Sequence, residues 1–253
     1  MSLSSQSYIR KVSLQRENVP SFHSYPFHIP SIRSLTDLSF HPNVTFIVGE
    51  NGMGKSTLLE AIAMAIGFNP EGGTLNFSFS TYDSYSNLDK YLRIVRGVER
   101  PKDGFFLRAE SFYNVATNIE KLDQQPSFGP RVIDSFGGKS LHEQSHGEAF
   151  FSTFMNRFRG KGIYILDEPE AALSPLRQLS MLSRIHELVN DDSQFIIATH
   201  SPILMAYPSS SLIELTEEGL EESSLEETSH YKTMKQFFDE RERMIYHLLK
   251  DED

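Results

Sequence analysis

The chain has 253 residues, with 24 Lys and Arg against 34 Asp and Glu for a formal charge of −10, and no Cys. That composition excludes a disulfide framework, a thiolate zinc site and a cysteine nucleophile. The length suffices for one or two domains burying roughly 70–75% of the unfolded surface. No apolar run reaches the ~20 residues of a membrane helix, and no apolar stretch follows a basic head at the N-terminus, so a cytoplasmic protein is expected. The acidity is uneven: residues 211–253 hold 13 acids against 5 bases. Diffuse attraction to nucleic acid is therefore opposed at the C-terminal face alone.

The first 48 residues read as short β segments at Tyr8–Leu14, Phe27–Ile32 and Asn43–Val48. A helix is expected from Lys55 to about Ile66, stopped by Gly67 and Pro70. The stretch 71–143 reads as an inserted subdomain: a strand over Thr74–Ser80, a helix over Leu88–Val98, a strand over Phe105–Ala109, a short helix over Val115–Leu122 and a loop over Gln124–Ser140. The remainder is regular. A helix runs from Ser145 to about Phe158 and an apolar strand from Ile163 to Leu166. A further helix is capped by Ser174 with Pro175 in its first turn, and the spacing sets Leu176, Leu179, Leu182, Ile185 and Val189 on its buried side. Phe195–Ala198 is a buried strand, Leu212–Leu215 an edge strand, and His230–Leu249 a closing helix with Phe237, Phe238, Ile245, Leu248 and Leu249 inward. Apolar strands alternating with helices predict an α/β fold with a mainly parallel sheet covered on both faces.

Four motifs carry chemistry. Gly49-Glu50-Asn51-Gly52-Met53-Gly54-Lys55-Ser56-Thr57 matches G-x-x-x-x-G-K-[ST] between a strand and a helix. Such a loop turns its backbone N–H groups onto phosphate oxygens and adds the positive end of a helix. Lys55 can reach the β- and γ-phosphates, and Ser56 can bind Mg²⁺. Next, the strand Ile163–Leu166 delivers Asp167 and Glu168 at its C-terminal end, where open α/β sheets bind ligands. Asp167 is the candidate Mg²⁺ ligand and Glu168 the base for an attacking water. Third, His200 ends the next buried strand on the same sheet edge, placed to touch a γ-phosphate or that water. Fourth, Ser145 and Glu148 form a capping box opening an aromatic-rich helix, and with Gly147 they form a candidate second phosphate grip. A basic strip of Lys90, Arg93, Arg96, Arg100, Lys102 and Arg108 sets Arg93, Arg96 and Arg100 on one helical face. It is either a solvated face or a docking site for nucleic acid or an acidic partner.

In this order the four motifs resemble the ABC-type ATPases, over roughly residues 5–215. The runs Gly49–Ala63, Phe105–Phe112 and Asp167–Pro175 are similar to small stand-alone bacterial ATPases grouped with chromosome-maintenance and DNA-repair ATPases. The resemblance implies a P-loop fold with an N-terminal antiparallel part and a helical insertion, ATP as substrate and Mg²⁺ as cofactor. It implies a head-to-tail homodimer in which Asn51–Thr57, Asp167 and Glu168 of one subunit face Ser145, Gly147 and Glu148 of the other. It also sets Ser174 in the loop between subunits and Glu110 where the family has a glutamine near Mg²⁺. Tyr25, Phe22 and Phe27 are its candidates for stacking on adenine. The family signature Leu-Ser-Gly-Gly-Gln is altered here by Gln144, His146 and Glu148. Three roles follow as expectations: an ATPase in a DNA-related or defence process, a transporter's ATP-binding subunit, or a nucleotide-gated interaction module with little turnover.

Overall fold

The computed structural model describes residues 7–75, 86–124 and 130–250. Its elements, in chain order, are β1 (Ile9–Leu14), α1 (Pro30–Ser34), β2 (Asp37–Ser39), β3 (Val44–Gly49), α2 (Lys55–Ile66), β4 (Leu92–Arg96), β5 (Asp103–Arg108) and α3 (Phe112–Asp123). Then come α4 (His146–Arg157), β6 (Gly162–Asp167), α5 (Pro175–Asn190), β7 (Gln194–Ala198), α6 (Pro202–Met205), β8 (Ser210–Leu215), β9 (Leu220–Ser223), α7 (Ser229–Asp239) and α8 (Arg241–Leu249).

Six strands form the main sheet in the order β5-β6-β7-β3-β8-β9, parallel except for the β8–β9 hairpin. A smaller antiparallel sheet runs β2-β1-β4. The two-residue period of a strand divides the core. Val44, Phe46, Val48, Tyr164, Leu166, Phe195 and Ile197 face α3, α4 and α5, whereas Ile47, Ile163, Ile165, Ile196 and Ala198 face α2 and the antiparallel sheet. Strands covered on both faces explain their unbroken apolar runs. The buried Gln194 amide joins the two sheets. It accepts from Ile9 N (2.9 Å) and donates to Ile9 O (2.8 Å) and His41 O (3.0 Å).

Several expected elements take another form. Phe27–Ile32 is a turn entering α1, because Pro30 has no N–H for a ladder and suits a helix start. The helix expected over Leu88–Val98 is a 3-10 turn at Leu88–Tyr91 followed by β4, which pairs with β1. Successive side chains of a strand point to opposite faces, so the helical face of Arg93, Arg96 and Arg100 does not exist. Stretch 71–143 supplies β4 to the antiparallel sheet and β5 to the main sheet. The strand expected over Thr74–Ser80 lies outside the described residues from 76 on, and so do residues 125–129 of the expected loop. β8 is an internal strand between β3 and β9.

On α5 the buried residues are Gln178, Met181, Ile185 and Leu188, while Leu176 and Leu179 are exposed. The helix is rotated because the Gln178 amide is drawn inward. It donates to Leu173 O (3.0 Å) and accepts from Ser201 Oγ (2.6 Å). The closing helix is two helices broken at Glu240, with Phe238, Ile245, Leu248 and Leu249 exposed rather than inward. No described helix is long and apolar enough to cross a membrane.

Candidate active site

The site lies at the C-terminal ends of β3, β6 and β7. β3 ends at Gly49, and α2 opens at Lys55 after Gly54, whose φ of +88° favours glycine. A Cβ on Gly54 would stand 2.9 Å from Ile29 Cγ2, so the loop is packed closely from behind. Ser31 Oγ donates to Met53 O and fixes the loop further. The loop coils around the buried Lys55, whose Nζ donates to Gly49 O (2.8 Å) and Glu50 O (3.1 Å). Burial pulls the ammonium's pKa down, and Glu168, Asp167, Glu170 and Glu50 oppose that. Asn51 and Gly52 are exposed, and Met53, Ser56 and Thr57 are half-buried. The free N–H groups of a helix start beside a confined cation can hold a multiply charged anion.

Ser56 Oγ donates to Asp167 Oδ1 across 3.0 Å, joining the loop to β6. Burial pushes Asp167 up to about 6, against the pull of Arg108 and Ser56. Glu168 and Glu60 push the same way as burial. A carboxylate whose charge is so poorly compensated fits a further cation, and hydroxyl plus carboxylate is a hard oxygen set suited to Mg²⁺.

Glu168 follows with φ +49°, an uncommon conformation for a non-glycine residue, costing about 1 kcal/mol or more and concentrated at functional sites. Its Oε1 lies 3.5 Å from His200 Nε2. Burial lowers the His200 pKa, and Lys55 and His230 act in the same direction. The His200 backbone N–H donates to Glu170 Oε1 (2.5 Å). Ser56, Glu110, His146, Asp167 and Glu168 share one cleft of about 330 Å³. Lys55, Ser56, Asp167, Glu168 and His200 thus meet at one place.

The other candidates are less closely joined to this group. Glu110 lines the same cleft but is 83% exposed and pairs with Arg108 Nη2 at 3.4 Å rather than with Ser56 or Asp167. Ser145 and Glu148 are exposed and form the expected capping box, Glu148 N donating to Ser145 Oγ (3.3 Å). Gly147 is pressed against the loop after Glu168, where a Cβ would come within 2.3 Å of Ala172 O. Ser174 occupies the N-cap position of α5 without a capping side-chain hydrogen bond. Phe27 is sealed in the core against Tyr91 and cannot stack on a base. Tyr25 is exposed with its hydroxyl 3.4 Å from Thr57 Oγ1, and Phe22 lies under Arg16.

Sequence reasoning missed Arg108 as a site residue, reading it as part of the basic strip. β5 and β6 run in parallel with Arg108 opposite Asp167. Its guanidinium lies 3.2 Å from Asp167 Oδ2 and donates to Glu60 Oε2 at 2.7 Å. Only the strand register reveals this arrangement. All three side chains are mostly buried, so Arg108→Met should destabilise the fold by about 3–5 kcal/mol by stranding two carboxylates. Urea unfolding measures this. A change below about 1 kcal/mol would show the pairing to be dispensable.

The chain is similar to known proteins. A family model described as AAA domain matches residues 14–243. An inferred ABC transporter ATP-binding protein of Caldanaerobacter subterraneus subsp. tengcongensis is 29% identical over 216 residues, covering 76% of this chain and 85% of that protein. The energy-coupling factor transporter ATP-binding protein EcfA2 of Methanospirillum hungatei is 25% identical over 220 residues, covering 78% of this chain and 52% of that protein. Among solved structures, MJ1267, an ATP-binding cassette of an ABC transporter, superposes with a TM-score of 0.51 at 15% identity, covering 95% of this chain and 98% of that one. By the family match over most of its length, the chain belongs to the AAA-domain family, and its fold is that of an ATP-binding cassette.

Proposed function

We propose that this chain binds ATP along Asn51–Thr57 and hydrolyses it, working as a head-to-tail pair of identical subunits. The observation that carries the reading is the convergence of Lys55, Ser56, Asp167, Glu168 and His200 on one sheet edge, with Ser56 bonded to Asp167 and Glu168 beside His200. Such a site works mainly by positioning and by charge stabilisation. The loop amides and Lys55 hold the β- and γ-phosphates. Ser56 and Asp167 are the residues that would hold Mg²⁺, which when bound neutralises charge developing on the phosphates. Glu168 takes the proton of the attacking water, and His200 orients that water or the terminal phosphate. Ser145 and Gly147 of a second copy close the site. The exposure of Ser145 and its lack of a hydrogen bond to the loop of its own chain, among the described residues, favour such an intermolecular role. Phosphate release at saturating MgATP tests the reading. Activity per subunit should rise with protein concentration as dimers form, and absence of turnover at any concentration would overturn it.

Asp167 gives this reading a pH signature. Its carboxyl is lifted to about 6 in the fold, from an ordinary value near 4. The folded state then holds the proton more tightly, so this group's contribution to stability is present below about pH 4 and lost as pH rises through 6. A protonated Asp167 cannot serve a cation. The extra thermal stabilisation given by Mg²⁺ plus ADP over ADP alone should therefore be clear at pH 7.5 and smaller at pH 5. An increment of equal size at both pH values would remove Asp167 from the cation site.

As to the client, the names of the two relatives favour the ATP-binding subunit of a transporter over a DNA-related or defence role. Loss of the helical basic face weakens docking of nucleic acid through Arg93, Arg96 and Arg100. Co-purification with a membrane protein supports the transporter reading, whereas DNA-stimulated hydrolysis lost on neutralising Arg93 and Arg96 supports the other.

A further inference from the structure

Arg108 belongs to a closed circuit of side chains that the mechanism above leaves unused. It ends β5 and stands opposite Asp167 of β6, so the two side chains leave the sheet on the same face. Nη1 of Arg108 donates to Glu60 Oε2 at 2.7 Å, and Nε lies 3.2 Å from Asp167 Oδ2. Asp167 Oδ1 in turn accepts from Ser56 Oγ at 3.0 Å. Ser56 and Glu60 are four residues apart on α2 and are therefore neighbours on one face of that helix. Ser56, Asp167, Arg108 and Glu60 thus close a ring through one turn of α2. The Arg108, Glu60 and Asp167 side chains are only 16%, 9% and 4% exposed.

One link of this ring opens when the site is used. A hydroxyl and a carboxylate oxygen that serve one cation both present lone pairs to it, so the hydrogen bond between Ser56 and Asp167 is then given up. Among the described residues, Arg108 is the one side chain still paired with the Asp167 carboxylate in that state. The terminal torsion of an aspartate is broad and fixes no orientation by itself. The Arg108 Nε–H is buried and has no aligned hydrogen-bond partner among the described residues, so a donor stands ready beside Oδ2. Stability alone does not account for such a cluster, because apolar side chains of similar volume commonly support a fold as well as a buried ion pair does. What they cannot do is hold a carboxylate in one orientation.

We propose that Arg108, anchored on Glu60, is the positioning residue of Asp167: it pins Oδ2 and so keeps Oδ1 turned toward Ser56 when the two residues share a cation. This rests on the assignment of Ser56 and Asp167 to Mg²⁺ above and deepens it. A guanidinium on a long side chain, tied to Asp167 alone, would follow the carboxylate rather than fix it. Glu60 supplies the second tie, whereas Glu110, 3.4 Å from Nη2, is 83% exposed and offers no comparable anchor. Because Glu60 and Ser56 share α2, the separation of the two cation ligands is set by one helical turn and the two ion pairs of Arg108.

The test is calorimetric, on the full chain, with Mn²⁺ as the probe and the β,γ-imido analogue of ATP, which is not hydrolysed. Affinity for the analogue is measured in Mn²⁺ and in EDTA, and the ratio of the two is the gain conferred by the cation. Arg108→Met combined with Glu60→Leu removes the hold on Asp167 without stranding Glu60, so its urea midpoint should lie above that of Arg108→Met alone. In this double variant the gain should fall by about tenfold to a hundredfold, the usual loss when a partner that orients a metal ligand is removed. Affinity in EDTA should be nearly unchanged, since Lys55 and the loop amides are untouched. Arg108→Lys keeps the charge but lacks the planar fork that spans two carboxylates, so it should recover only a minor part of the gain. That shortfall reports geometry rather than charge, and it carries the test if the double variant does not fold. An undiminished gain in the folded double variant, or a full gain in Arg108→Lys, overturns the proposal alone. A wild type that gains nothing from Mn²⁺ overturns the cation assignment of Ser56 and Asp167, and the proposal with it.

Discussion

Lys55→Ala should weaken ATP binding by about thirtyfold to a thousandfold, or roughly 2–4 kcal/mol. The ammonium is confined by the carbonyls of Gly49 and Glu50 at the opening of α2, and no other described lysine or arginine side chain bonds to this loop. Its removal takes the one compact cation from a site that must hold several negative charges, and the remaining amides supply only partial charges. The two carbonyls also lose a buried donor, which costs about 1–3 kcal/mol of fold stability. Circular dichroism and unfolding midpoints should therefore accompany the binding titration. Lys55→Arg keeps the charge but not the compact shape, so it should recover little affinity. Unaltered ATP affinity in a folded Lys55→Ala protein would mean that the loop 49–57 does not hold the triphosphate.

The second large effect is expected at Glu168. Glu168→Gln should lower turnover by about 10²–10⁴-fold, the usual contribution of a positioned general base, while leaving ATP binding almost intact. The side chain is 41% exposed and contributes no hydrogen bond that shapes the loop. Glutamine is nearly the same size and meets the same left-handed backbone at φ +49°, so the fold has no reason to change. With hydrolysis stopped and ATP held, the closed pair should accumulate, and light scattering should find twice the subunit mass only when MgATP is present. Monomers at all nucleotide concentrations would refute the pair, and undiminished turnover would remove Glu168 as the base.

What the sequence conveyed was local. The bounds of α2 follow from Gly54, Lys55 and Gly67, where backbone conformation is dictated by neighbouring residues. β6 and β7 declare themselves as apolar runs ended by Asp167 and His200. The expectation of a helix across Arg93 and Arg96 rested on spacing alone, and β4 was instead decided by pairing with β1 some 80 residues earlier. Pairing of that kind overrides local propensity. The α7–α8 segment carries an amphipathic pattern, but a pattern does not say whether any element stands opposite to receive it, and Phe238, Ile245, Leu248 and Leu249 face outward. Arg108 and Glu60 were hidden for a related reason. Their role depends on Arg108 lying opposite Asp167 in the sheet, a register that no motif encodes.

The most direct measurement is the crystal structure of Glu168→Gln with MgATP. It should hold the β- and γ-phosphates within hydrogen-bond reach of Lys55 Nζ and the amides of the loop 52–57, the terminal phosphate beside Gln at 168, and Ser145 of a second copy across the nucleotide. ATP bound elsewhere on the chain, or a terminal phosphate remote from Asp167 and residue 168, would contradict the account at its centre.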